Sequence, residues 1–148
     1  MNINLHELYE TIYNDLVSYL KTNSIYNPKC AKYKPHEISV FPLVTCVEGS
    51  NTNEYTTLKY TDELYKYDIM EINIFAQNDT INRQQVSGMT IKDEIISHIC
   101  KYFKETYKLN VKVTPNAPNI DDTIYRGIIN VSCKVDTKYK DKLIIYPK

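Results

Sequence analysis

The N-terminal segment has apolar residues at spacings of three and four, which is the pattern of a helix with one buried side. These residues are Leu5, Leu8, Tyr9, Ile12, Tyr13, Leu16 and Leu20. Asn4 can cap the first turn, and Glu7 stands three residues later, an arrangement close to a capping box. The pattern predicts a helix from about Leu5 to Lys21. The polar stretch from Thr22 to Pro35 predicts an exposed connection.

Two apolar segments after this connection predict β-structure. Ile38–Val47 is rich in β-branched residues, but Pro42 cannot donate a ladder hydrogen bond, which predicts an edge strand or a bulge. After the turn signal EGSNTN, the segments NEYTTLKY and KYDIMEINIFA predict the two arms of a long hairpin. The period of two in the second arm places Met70, Ile72, Ile74 and Ala76 on one face, and Glu71 and Asn73 on the other with Ile69 and Phe75 at its ends.

The stretch QNDTINRQQ predicts the start of a second helix, with Asp79 or Thr80 as its cap. We expect this helix to be the longest in the chain. Gly88 then falls inside it, at a cost of roughly 1 kcal/mol relative to alanine. The expected buried side consists of Val86, Met89, Ile95, Ile96, Ile99, Cys100, Phe103 and Tyr107.

The last third of the chain predicts two strands and a short apolar stub. Leu109, Val111 and Val113 alternate, and the run PNAPN then interrupts the pattern. A longer strand follows, with one face formed by Tyr125, Gly127, Ile129, Val131, Cys133 and Val135, and an outward face formed by Arg126, Asn130, Ser132, Lys134 and Asp136. The stub LIIYP predicts either a last edge strand or a tail that binds a partner.

This order of elements predicts an α+β fold with two layers, a largely antiparallel sheet with both helices packed on one face. A length of 148 residues favours a single domain over 1–148, with 136–148 as a candidate C-terminal extension. The chain has no apolar run of the roughly 20 residues that span a bilayer, and its first residues lack the pattern of a signal peptide. We therefore expect neither a membrane anchor nor secretion.

Charge is distributed unevenly, although the formal net charge is zero. The segment from Glu48 to Asp79 contains seven acidic residues and only two lysines. The segment from Lys134 to Lys148 contains five lysines, and three more are clustered at positions 29, 32 and 34. Opposite poles of this kind suit head-to-tail self-association, and the alternative is that these are solvated loops and ends. The formal net charge of zero argues against nucleic-acid binding, which needs an excess of clustered lysine and arginine. The candidate interface residues are Glu54, Asp62, Glu63, Asp68, Lys29, Lys32, Lys34, Lys134 and Lys138.

Motifs for catalysis or cofactor binding are missing from the sequence, which contains no GxSxG, GxxxxGK[ST] or GxGxxG string. The string HELYE resembles the zinc-protease HExxH motif, but Glu10 replaces the second histidine, so we expect no metal at His6. His36 and His98 have no histidine at ligand spacing and are expected to be surface or hydrogen-bonded residues.

Two further groups were candidates for chemistry. The pair of aspartates at 121 and 122 is expected to form an Asx-turn before the following strand. The alternatives are that the pair binds a cation or acts as general acid and base. The four cysteines include no CxxC pair and predict reduced thiols. We predict a protein that is not an enzyme and that uses no cofactor and no metal.

Several segments together resemble the tail-terminator proteins of tailed phages of Gram-positive hosts. They are an N-terminal helix, PLV at 42–44, the hairpin arm ending in YDIMEINIFAQ, a helix containing QQ, and PNIDDTIYRGIINVSCKV. The resemblance covers roughly residues 3–136 and is most specific between Asn119 and Val135.

The resemblance implies a virion protein, assembled in the host cytoplasm, that forms a six-fold ring on the last ring of the tail tube. Such a ring stops tube growth and presents a surface to the neck or head-completion proteins, and DNA passes through it without specific binding. Contractile and non-contractile tails, and tube and sheath ends, are equally compatible with the sequence. The alternatives are another neck component, such as a stopper or completion protein, or a small accessory protein or enzyme.

Overall fold

The computed structural model describes residues 5–49, 54–55, 64–107, 109–118, 123–136 and 142–144. It contains two helices and nine strands in these parts of the chain. In chain order they are α1 Leu5–Asn23, β1 Lys29–Ala31, β2 Leu43–Glu48, β3 Glu54–Tyr55, β4 Leu64–Ala76, β5 Asp79–Ile81, β6 Gln84–Val86, α2 Gly88–Thr106, β7 Asn110–Ala117, β8 Tyr125–Asp136 and β9 Lys142–Ile144.

The fold is α+β, as predicted, with a mostly antiparallel sheet in the order β1-β2-β4-β8-β7. β3 pairs with β4 and β9 pairs with β8 at one end of this sheet, while β5 and β6 form a separate two-stranded sheet. Both helices pack on one face of the main sheet, where they share a core cluster with β2, β4 and β8. We call this the helix face and the opposite side the open face.

The first helix matches its prediction to within two residues at its end. Its apolar stripe is buried at Tyr9, Ile12, Leu16 and Leu20, each at most 3% exposed. The hydroxyl of Tyr9 donates a hydrogen bond of 2.5 Å to the carbonyl oxygen of Cys46, which fixes α1 on β2. The predicted cap, Asn4, lies outside the described residues.

The connection predicted from Thr22 to Pro35 is wrong in part, because it contains β1. This strand runs parallel to β2, with Lys29 aligned with Leu43. β2 is therefore not at the border of the sheet, since it lies between β1 and β4. Pro42 precedes β2, so its missing N–H costs no ladder bond, and its carbonyl oxygen accepts from the amide of Lys29 at 3.0 Å.

The predicted start of the second helix is also wrong. Residues 79–86 form the hairpin β5–β6, whose two-residue turn is made by Asn82 and Arg83 with φ values of 51° and 63°. Positive φ at both central residues is the geometry of a type I′ turn, which a right-handed helix excludes. Helix α2 instead starts at Gly88, capped by Ser87, whose side chain accepts from the amide of Met89.

The buried side of α2 agrees with the prediction at Ile95, Ile96, Ile99 and Phe103, and Val86, Cys100 and Tyr107 are half-buried beside it. Met89 was predicted to be buried and is 38% exposed. Gly88 is the first helical residue, and a Cβ there would lie 2.6 Å from the Tyr125 ring and 2.8 Å from the carbonyl carbon of Gln77. Close packing therefore requires glycine. The helix is not the longest, since both helices have 19 residues.

The last strands follow the predicted alternation, with two corrections. β7 does not stop at Pro115 but continues to Ala117 through a register shift, because an edge strand tolerates proline. In β8, Gly127, Ile129, Val131 and Cys133 are buried as predicted, but Ser132, expected to face solvent, is only 4% exposed. The stub LIIYP contributes β9, which confirms the edge-strand alternative for residues 142–144.

Candidate interaction surfaces

The two longest strands, β4 and β8, continue together beyond the helix-covered core. β2 ends where Glu48 meets Met70, and β7 begins where Asn110 meets Ser132. Past these positions the neighbours of β4 and β8 are β3 and β9. We call this four-stranded end, made of β3, β9, residues 64–68 and residues 132–136, the arm.

A β-bulge separates the arm from the core. The register of β4 with β8 shifts between Asp68 and Met70, and the Gly49 amide donates to the carbonyl oxygen of Ile69 at 2.9 Å. A Cβ at Gly49 would lie 2.0 Å from the carbonyl oxygen of Asp68, so this approach requires glycine. Bulges bend a strand and increase its twist. The arm therefore leaves the core in a direction that the bulge sets.

The arm contains three of the predicted interface residues. The register aligns Glu54 with Lys66 and Lys66 with Lys134, so this row of the sheet has one acidic residue followed by two lysines. Asp68 lies at the bulge and is half-buried. Because antiparallel pairing brings the start of β4 beside the end of β8, Lys134 does not lie at a pole opposite to Glu54. Asp62, Glu63 and Lys138 lie outside the described residues.

The second row of the arm is apolar in sequence. The register aligns Tyr55 with Tyr65, Tyr65 with Val135, and Val135 with Leu143 across four strands.

The basic cluster predicted at 29–34 lies at the opposite end of the sheet from the arm. Lys29 is level with Phe75, about nine residues or roughly 30 Å along β4 from Lys66. Lys32 is already engaged within the subunit, because its ammonium contacts the carboxylate of Glu10 and lies 5.1 Å from the ring centre of Tyr13. Lys29 and Lys34 are exposed.

The structure adds Arg126 to this region, a residue that the sequence analysis placed on the outward face without a role. Its guanidinium donates from Nε and Nη2 to Oδ1 of Asn73, at 3.0 and 2.8 Å. It also lies 5.7 Å from the ring centre of Phe75, and the Lys34 ammonium lies 5.8 Å from the same ring. The register aligns Lys29, Leu43, Phe75 and Arg126 across four strands. We call Lys29, Lys34 and Arg126 the basic row.

A polar cleft of about 620 Å³ lies beside the β5–β6 hairpin, and a smaller cavity of about 210 Å³ adjoins it at Asn78 and Asp79. The N-terminus of α2 reaches this cleft. Its first amides are already bonded within the protein, because Oδ1 of Asn78 accepts from the Gly88 amide at 2.8 Å and Ser87 accepts from Met89. The described residues that line the cleft and the smaller cavity include no lysine, arginine or histidine to bind an anionic ligand.

Lys92 is the charged residue that the sequence analysis missed completely. Its side chain is 1% exposed. The ammonium donates to the carbonyl oxygen of Pro115 at 2.6 Å and to Oδ1 of Asn116 at 2.7 Å, and it lies 3.3 Å from the carboxylate of Asp93. Lys92 therefore joins the first turns of α2 to the irregular part of β7.

The remaining titratable groups do not converge on a catalytic centre in the described ranges. His6 lies 3.0 Å from the Glu48 carboxylate, and His98 pairs with Glu94 at 2.8 Å, which confirms that His98 is hydrogen-bonded. Burial raises the pKa of the Cys30 and Cys133 thiols to about 11, so both are protonated at neutral pH. Among the residues that the structure describes, no cluster of three or more metal-ligating side chains is present.

The aspartates at 121 and 122, with their predicted Asx-turn and the alternatives of a cation site or acid–base catalysis, lie outside the described residues. Within the described part of the chain, neither helix is long and apolar enough to cross a membrane. Comparison with known proteins finds no family model that matches this chain and no matching curated protein.

Proposed function

We propose that this protein is a tail terminator, which forms a ring on the head-proximal end of a phage tail tube and joins it to the neck. One observation carries the proposal. The strands on which the sequence resemblance rests all belong to one connected sheet, and both helices pack on one face of it. These elements are a helix, the strand that follows Pro42, the strands of a long hairpin, a second helix and the strand that contains YR of the segment TIYR.

The most specific segment of the resemblance has a defined place in this sheet. TIYRGIINVSCKV spans the approach to β8 and most of the strand itself, which pairs with β4 and β7 along its length and with β9 at its end. Its Arg126 binds Asn73 of β4 on the open face, and Thr123 accepts from the Gln77 side chain at 3.3 Å. The segment therefore includes residues that hold the two central strands together.

A ring of identical subunits needs two different surfaces on each subunit that fit each other. In this chain the arm and the basic row lie at opposite ends of the sheet. The geometry suits head-to-tail contact between copies, which supports a ring.

The proposal implies that the gene for this protein belongs to a phage genome. Deleting the gene from that genome tests the proposed function. We expect filled heads without tails, together with free tubes longer than those of the parent phage, because a missing terminator removes the stop on tube growth. Electron microscopy measures the tube lengths. Free tubes of parental length beside unjoined heads would contradict the terminator and favour a stopper or completion protein, and normal joined particles would contradict any neck role.

A further inference from the structure

The polar cleft beside the β5–β6 hairpin has a single charged group in its described lining, the carboxylate of Asp79. The other polar side chains of this lining are amides and hydroxyls, from Asn78, Thr80, Gln85, Ser87 and Tyr125. Asp79 is exposed and forms no ion pair with a described residue. Its Oδ1 accepts from the Thr80 amide at 2.8 Å, which leaves Oδ2 for a ligand. The cleft therefore suits a cationic group.

Tyr125 adds an aromatic ring to this cleft. The ring packs against the start of α2, since a Cβ at Gly88 would lie 2.6 Å from Cδ2 of Tyr125. The neighbouring cation in β8, Arg126, is turned to the opposite face of the sheet, where it binds Asn73. A guanidinium is planar and has five donors, so it can lie on an aromatic ring and donate to a carboxylate in the same site. An arginine side chain thus fits the chemistry of the cleft.

An exposed arginine lies at the tip of the same hairpin, which consists of Asn82 and Arg83. The side chain of Arg83 forms no ion pair with a residue in the described ranges. The type I′ turn restricts the backbone of the tip. Ile81 and Val86 pack against the main core cluster, so the hairpin is held on the body of the subunit. Arg83 is therefore presented from a supported position.

The tip and the cleft belong to one patch of the surface. Asp79 is three residues before Asn82, a distance of roughly 10 Å along the strand. Two sites this close leave no room for two different neighbours. A two-fold axis instead lets two copies use both sites at once, because residue i of one copy then meets residue j of the other and the reverse.

We infer that two copies of this chain bind each other across a two-fold axis, with Arg83 of each copy in the cleft of the other. Each guanidinium donates to the carboxylate of Asp79 and lies against the ring of Tyr125. This contact is isologous, whereas a closed ring needs heterologous contacts, so the inference goes beyond the proposed function and does not depend on it. A two-fold contact doubles the mass of the particle that carries it, from monomer to dimer or from one ring to two.

Two charge-reversed variants of the full chain test this contact, Arg83→Glu at the tip and Asp79→Arg in the cleft. Sedimentation velocity and native mass spectrometry over a range of concentrations measure the doubling of mass. Both residues are exposed, so we expect both variants to fold, which thermal melts check. We expect each variant alone to pair about tenfold or more weakly than the wild type, because both contacts in its dimer then join like charges.

The matched control is Lys101→Glu, which makes the same change of charge as the tip variant. Lys101 is exposed and lies roughly 20 Å along α2 from Gly88, at the start of the helix beside the cleft. We expect this control to pair as the wild type does.

An equal mixture of the tip variant and the cleft variant gives the sharpest result. In a mixed dimer the reversed tip of one chain meets the reversed cleft of the other, and the second contact joins an unchanged Arg83 to an unchanged Asp79. We therefore expect one-to-one pairs with about the affinity of the wild type. Native mass spectrometry identifies these pairs, because the two variants differ in mass.

Failure of the mixture to pair, with wild-type thermal stability of both variants, would overturn the inference. So would wild-type pairing of either variant alone, or a wild-type chain whose mass doubles at no concentration. If a reversed variant melts early, Arg83→Gln and Asp79→Asn replace the two reversals, and pairing at the wild-type level in both neutral variants would also overturn it.

The proposed function is judged separately, by tube length in the deletion phage. Overlong tubes in that phage, together with a wild-type chain that does not pair, would keep the terminator and reject this contact. Pairing that follows the charges as expected, together with free tubes of parental length, would keep the contact and reject the terminator.

Discussion

Replacing Val131 with aspartate is expected to unfold the protein. Val131 is completely buried in β8, between Met70 of β4 and Val111 of β7. An unpaired carboxylate there costs several kcal/mol, against a total stability of about 5–15 kcal/mol for a typical domain. We expect loss of the cooperative thermal transition in circular dichroism, or a chain recovered only as aggregate.

The matched control is Asn130→Asp, which introduces the same residue one position away. Asn130 is exposed and is aligned with Glu71 on one side and Lys112 on the other, so the new charge remains in water. A change within about 0.5 kcal/mol is expected. Ser132 is unsuitable as this control, because it is only 4% exposed. Wild-type stability of the Val131 variant would show that β8 is placed with the wrong face inward.

Replacing Lys92 with alanine is expected to cost about 3 kcal/mol of stability. The substitution removes a buried aliphatic chain and two hydrogen bonds from an ammonium, those to Pro115 and Asn116. Lys92→Met retains most of the packing and loses the hydrogen bonds and the contact with the Asp93 carboxylate, so we expect about half of that cost. Urea unfolding measures both values.

The control for Lys92 is Lys104→Ala, an exposed lysine in the last turn of the same helix. It should unfold close to the wild type. In both Lys92 variants, amide hydrogen exchange should also increase selectively around Asn116, since the ammonium ties that part of β7 to α2. Wild-type stability of Lys92→Ala would contradict the buried position of this side chain.

Periodic segments made much of the fold predictable. The apolar stripe of α1 and the alternation of β8 each extend over more than ten residues, so several apolar side chains in each element indicate the same buried face. The signals that failed were short. β1 has three residues and no alternation to detect, and the Asn82–Arg83 turn lacks the glycine that usually marks a type I′ hairpin.

The surfaces were less predictable than the fold, because they depend on which strands pair. Glu54 and Lys134 are eighty residues apart in the sequence. The pairing of β3 with β4 and of β4 with β8 places them only two strands apart in the sheet. The basic row joins residues from β1, its following connection and β8, which no local motif connects. Lys92 occupies a helical position on the border of the apolar stripe, and two of its acceptors come from the irregular part of β7, which is distant in the sequence.

The position of the protein on assembled tubes tests the central claim most directly. Tubes assembled without this protein would be incubated with the purified, tagged chain, labelled with tag-binding gold, and imaged by electron microscopy. The account predicts label at a single end of each tube, the end that then joins to heads. Label along the tube, label at both ends, or tubes that stay bare and fail to join heads would contradict it.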